Sequence, residues 1–138
     1  MGIKTAGKFY YDGAAVAVAA ADEIVFTNAK AMGAVRLASD NSTVCITRPG
    51  LYRVSANVNF VATAAGTVTA SLYADGSAVA GAQGSETLAA VGDAGNVAFT
   101  TLLTVHPTYP GSVAELTLVN TGVATSITVA NLIVEKVA

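Results

Sequence analysis

The stretch Leu51-Tyr52-Arg53-Val54-Ser55-Ala56-Asn57-Val58-Asn59-Phe60-Val61 decides the fold class. Tyr52, Val54, Ala56, Val58 and Phe60 fall on one side, and Arg53, Ser55, Asn57 and Asn59 on the other. A period of two residues with one apolar and one polar side describes a half-buried antiparallel strand. Arg48-Pro49-Gly50 leads into it as a turn, with proline fixing φ and glycine supplying a positive φ.

Downstream the same pattern returns. Thr67–Ala74 alternates Val68, Ala70 and Leu72 against Thr69, Ser71 and Tyr73, and Asp75-Gly76 separates it from Ser77-Ala78-Val79. Asp-Gly between two patterned runs is a strong hairpin signal. Gly81 to Gly95, rich in Gly, Ala and Ser, reads as a loop region holding at most a short strand. Asn96–His106 is a further strand whose Val97, Phe99, Thr101, Leu103 and Val105 oppose Ala98, Thr100, Leu102 and Thr104. Val113–Asn120 follows the Pro107–Gly111 break, Thr121-Gly122 turns the chain, and Val123–Val137 closes it. In that last run Ile127 and Val129 are out of phase with Leu132 and Val134, which predicts a bulge near Ala130-Asn131.

Upstream the signal is weaker. Gly13–Ala21, Ile24–Phe26, Val35–Leu37 and Thr43–Thr47 read as short strands, whereas Met1–Tyr11 lacks periodicity and reads as an arm. The organisation is thus an arm or first strand over residues 1–12 and a single β-domain over 13–138. Strands every 8–12 residues without a convincing helix indicate a sandwich, jelly roll or barrel.

The chain of 138 residues is 53% hydrophobic but only 12% charged, against about 25% charged in an ordinary soluble domain. Its longest apolar stretch, Ala14–Ala21, ends at Asp22-Glu23 and is far short of the roughly 20 residues of a spanning helix; no membrane association is expected. Between Arg53 and Lys136 there is no basic residue, so nucleic acid, which needs clustered Lys and Arg, is not an expected partner of this body. Lone Cys45, in Val44-Cys45-Ile46, reads as a small buried hydrophobe. Neither side of Asn96–His106 bears a charge, and a strand of that kind is covered on both sides. In a two-layer sandwich a second chain is the simplest cover for the outward side. The expected contact is of the chain with itself, through Tyr52, Ala98, Thr100, Leu102 and Thr104. Arg53, Asn57 and Asn59 are expected to keep a different side wet, and Lys8, Phe9, Tyr10 and Tyr11 to form a docking arm.

The order of blocks from Ser42 to Ala138 resembles the jelly rolls of the complement component 1q and tumour necrosis factor superfamily, in its Ala/Thr/Val-rich phage and bacterial form. The resemblance rests on STVCITRPGLYRVSANVNF, the hairpin TASLYADGSAV, and the closing ELTLVNTG and ITVANLIVEK. It implies an all-β antiparallel sandwich of about ten strands that assembles as a homotrimer. It further implies a virion structural protein, of capsid-decoration or head-fibre type, made in the host cytoplasm and placed on the virion surface beside partners such as the capsid. A receptor- or glycan-binding tip, presented by loops such as Pro107–Gly111 or Gly81–Gly95, is the alternative. The chain departs from the superfamily in lacking a Gly-X-Y stalk, aromatic-rich strands and an acidic calcium cluster.

No catalytic constellation is legible. His106 is the only histidine and precedes Pro107 at a strand end. Asp22-Glu23 and Asp40-Asn41 read as turn and cap residues, since neighbours along a strand point to opposite faces. No enzyme activity, cofactor or metal is expected.

Overall fold

The computed structural model describes residues 4–106 and 113–138. Among them are ten strands: β1 (Ala6–Val18), β2 (Asn28–Met32), β3 (Val35–Leu37), β4 (Thr43–Ile46), β5 (Gly50–Ala62), β6 (Gly66–Ala74), β7 (Ser77–Leu88), β8 (Ala94–Val105), β9 (Ala114–Asn120) and β10 (Thr125–Lys136). They form two five-stranded antiparallel sheets, β2-β1-β10-β5-β8 (sheet A) and β3-β4-β9-β6-β7 (sheet B).

Period-two alternation works as expected in β5: Tyr52, Val54, Ala56, Val58 and Phe60 are all buried between the sheets. Phe9 of β1 joins them, Ile46, Leu72, Leu116 and Leu118 come from sheet B, and Ile24 and Phe26 enter from the segment between β1 and β2. The start of β5 is tied to the chain end, with the Leu51 amide donating to the Ala138 carbonyl (3.0 Å) and the Val137 amide to the Leu51 carbonyl (2.8 Å). Asp75 and Gly76 form the two-residue turn between β6 and β7, both at positive φ (51° and 83°), the twist that a tight hairpin requires.

Three expectations need correction. The first strand runs on to Val18, past the boundary expected at residue 12. Of the two readings of residues 1–12, first strand and not arm describes residues 6–12, which pair with both β10 and β2. Their alternation is hidden by Gly7, which faces inward because a Cβ there would lie 2.8 Å from the Phe9 ring. Gly81–Gly95 is largely strand, since β7 runs to Leu88. Its small residues serve a close approach, as a Cβ at Gly84 would meet the Ala98 carbonyl oxygen of β8 at 3.1 Å. The bulge in β10 lies between Ile127 and Val129 rather than at Ala130-Asn131. Ala130, fully buried, already belongs to the inward phase of Leu132 and Val134.

The sheet edges are unequal. At one end of the sandwich they are β2 and β3, five and three residues long, carrying Lys30 and Arg36. At the other they are β7 and β8, twelve residues each and free of basic side chains. Short, positively charged edges resist pairing with other chains, whereas long edges whose one charge is Glu86 resist it less.

Two polar side chains fix loops. Asn120, 2% exposed, donates through Nδ2 to the carbonyls of Val123 (2.9 Å), Val18 (3.3 Å) and Ala19 (3.4 Å), and its Oδ1 accepts from the Gly122 amide (3.1 Å). Asn120→Ala strands those groups and is expected to cost about 2 kcal/mol, measurable as a lowered urea midpoint.

Asp40 caps the turn before β4, accepting from the Ser42 and Thr43 amides (3.0 Å each) and the Thr43 hydroxyl (2.7 Å). The Thr43 hydroxyl first, then the two amides, hold its carboxyl below the ordinary value of 3.8. A depressed folded-state pKa adds stability above the unfolded value that disappears as pH falls through the folded one. The stability difference between the natural chain and Asp40→Asn is therefore expected to be constant from about pH 5 to 7 and to shrink below 3.8, as urea titrations at each pH would show.

Candidate self-association face

The outward side of sheet A is assembled by register. Across β1, β10, β5 and β8, one row reads Ala6, Glu135, Arg53, Leu102; the next Lys8, Ile133, Ser55, Thr100; the next Tyr10, Asn131, Asn57, Ala98; and the last Asp12, Val129, Asn59, Asn96. The alternate rows point into the core through Phe9, Leu132, Ala56 and Phe99 and their neighbours.

The face is graded. On its β8 side Ala98, Thr100, Leu102 and Thr104 are all exposed, with Leu102 57% accessible. Ser55 and Thr100 join hydroxyls at 3.2 Å, and Asn96 Nδ2 bridges Asn57 Oδ1 and Asn59 Oδ1 at 2.5 Å each. These bonds use Oδ1 of Asn57 and Asn59 and Nδ2 of Asn96, and they leave Nδ2 of Asn57 and Asn59 and Oδ1 of Asn96 to bond outward from the face. In the middle Arg53 Nη1 pairs with Glu135 Oε1 at 2.8 Å, both half exposed. At the β1–β2 side Lys8 sits 4.8 Å over the Tyr10 ring. A shallow apolar hollow there is bounded by Ala6, Lys8, Lys30, Met32, Ile133 and Glu135.

Ala98, Thr100, Leu102 and Thr104 thus share one uncovered face, with neither helix nor loop of the described chain over it. Tyr52 does not belong to it. It points inward with no exposure, donates its hydroxyl to the Arg48 carbonyl (2.8 Å), and burial pushes that hydroxyl's pKa up. It supports the face from beneath. Arg53, Asn57 and Asn59 do not wet a different side either, because register sets them beside Leu102, Ala98 and Asn96.

The proposed docking residues are split by the strand. Lys8 and Tyr10 look outward from sheet A, Phe9 is fully buried, and Tyr11 turns inward with its hydroxyl on the Ala14 carbonyl. Cys45 is buried, and desolvation pushes its thiol pKa up. His106 is exposed at the end of β8, and Pro107–Gly111 lies outside the described residues. The exposed apolar residues Ile133 and Met32 were not anticipated. Ile133 stands between Leu132 and Val134, so three consecutive apolar residues conceal which one faces out.

Where the Arg53–Glu135 pair meets water it contributes little, about 1 kcal/mol at most. Glu135→Gln is expected to lower stability by no more than that in a urea titration of dilute protein. A larger loss would show that the pair is desolvated in solution.

No sequence-family profile matches the chain, and no characterised protein matches it by sequence. Solved structures do. Eiger TNF from S. frugiperda superposes with a TM-score of 0.73 at 12% identity, covering 99% of this chain and 94% of that one. PRD1 vertex protein P5 gives 0.63 at 16% identity with full coverage of both chains (100% and 100%). Murine APRIL, in a crystal structure at pH 5.0, gives 0.63 at 9% identity over 97% of this chain and 99% of its own. Identities this low speak for fold alone, and on fold they agree with the strand order. The chain is a ten-strand jelly roll of the tumour necrosis factor type, a fold it shares with a phage vertex protein.

Proposed function

We propose that the chain is a non-enzymatic structural module that assembles as a homotrimer through the outward side of sheet A and serves on a virion surface, as a capsid-decoration or head-fibre protein made in the host cytoplasm. The observation that carries this reading is the uncovered β5–β8 face, whose Leu102 is 57% exposed beside small, uncharged Ala98, Thr100 and Thr104. Burying a leucine contributes about 1.5–3 kcal/mol, and Ala, Ser and Thr let a second backbone approach closely. The virion setting is supported by the end-to-end match to a phage vertex protein. The number three follows from the resemblance to the superfamily.

Burial is the mechanism. Three copies turn their sheet A faces toward a common axis, and each contributes apolar area that a lone protomer leaves in water. The long β7–β8 edge, without basic residues, lies beside that face, so assembly also shields unpaired backbone groups. The Asn96–Asn57–Asn59 cluster brings free Nδ2 donors and an Oδ1 acceptor to the contact, groups that a facing copy must pair if their burial is not to be costly.

Light scattering after gel filtration is expected to return about 41 kDa, three times 13.7 kDa. A clean single-chain mass at micromolar concentration would overturn the proposal. Leu102→Glu places an unpaired carboxylate in the contact, a change of at least about 3 kcal/mol, and is expected to shift dissociation into monomers by more than about 100-fold in concentration. Circular dichroism should remain that of the folded sandwich.

A further inference from the structure

On the opposite side of the sandwich, the outward surface of sheet B holds a trough of about 470 Å³. Thr117 and Val119 of β9 form its floor. Tyr73 of β6, in register with Thr117, stands on one side beside Gly76, and Glu23, bridged to Val119, on the other. Thr121 lies at one end, its hydroxyl 2.8 Å from that of Ser71.

The chemistry of this lining is mixed. The Tyr73 ring is half-exposed, and neither its hydroxyl nor that of Thr117 has a partner among the described residues. Glu23 is oriented by the Ser42 hydroxyl, which donates to Oε1 at 2.5 Å, and Oε2 has no partner among the described residues. That carboxylate is the only charge in the lining. The walls are also held in place. Asn120, through the Val18, Ala19, Gly122 and Val123 bonds, and the Ala21 amide donating to the Asn120 carbonyl (2.7 Å) fix the Ala19–Glu23 wall and the Thr121 turn. A site built in advance loses less entropy when it binds.

We infer that this trough is a binding site for a neutral saccharide of one or two rings. An aromatic side chain suits the apolar C–H face of a pyranose, while a carboxylate and unpaired hydroxyls suit its hydroxyl groups. A lone negative charge with no basic side chain disfavours anionic ligands. The volume falls in the range of about 300–1,000 Å³ usual for small-molecule sites. The site is on the sheet facing away from the self-association face, so the inference does not depend on the trimer.

The test is amide-resolved NMR of the intact chain titrated with lactose, maltose and N,N′-diacetylchitobiose, each to about 10 mM, enough to see a Kd near 1 mM. At least one sugar is expected to shift the amides of Glu23, Thr117, Val119 and Thr121. Tyr73→Ala is expected to weaken that binding at least about tenfold, Tyr73→Phe to keep it within about threefold, and Glu23→Gln to weaken it several-fold. Silence from all three sugars, shifts confined to another surface, full binding by Tyr73→Ala, or the same shifts from methylammonium chloride alone would each overturn the inference. Light scattering on the same samples reads the oligomer separately, so either idea can fail without the other.

Discussion

Everything in this sandwich is referred to β5, a strand paired along nearly its whole length on both sides, with β10 and with β8. Two ladders of that length leave no freedom to slip, since a shift of one residue would turn Tyr52, Val54, Val58 and Phe60 out of the core and Arg53 and Asn57 into it. The core between the sheets, the tie between Leu51 and Ala138, and the side-by-side placing of Arg53 with Leu102 all follow from that double register. The outward face is thus a by-product of core packing: whatever the inward residues fix, their alternating neighbours must present.

This explains which parts of the architecture could be read from residues alone. Where large apolar and polar residues alternate, as in β5 and β8, strand, phase and inward side were all legible. Asp75-Gly76 was equally plain, because both residues tolerate the positive φ they adopt. Legibility failed where alanine and glycine carry the pattern. Gly7 faces inward where a Cβ would collide with the Phe9 ring and Gly84 where it would sit tightly against the Ala98 carbonyl, and hydropathy cannot register a side chain that is missing. Ala130 is core, but its composition would pass on either side, so the bulge was expected two or three residues late.

The site divides along the same line. Ala98, Thr100, Leu102 and Thr104 could be found because they lie on one strand and lack charge together. Their relation to Arg53, Asn57 and Asn59 could not, because it exists only across strands, in the pairing of β5 with β8. Tyr52 was misplaced for a plainer reason: an aromatic residue with a hydroxyl suits an interface as well as a core, and only the Arg48 carbonyl within its reach decides for the core. The trough on sheet B draws on the segment before β2, on β6 and on β9 at once, and no linear window spans the three.

The unequal ends of the sandwich carry a consequence for how the molecule must be made. A freshly folded protomer guards one end with two stubby, basic edge strands, whereas at the other, two twelve-residue edges without basic residues lie against each other. Until β7 and β8 meet during folding, each is a long edge open to pairing with another chain. High local synthesis is therefore double-edged for this protein: it brings correct partners quickly, and it raises the chance of tangled ones whenever folding lags behind translation.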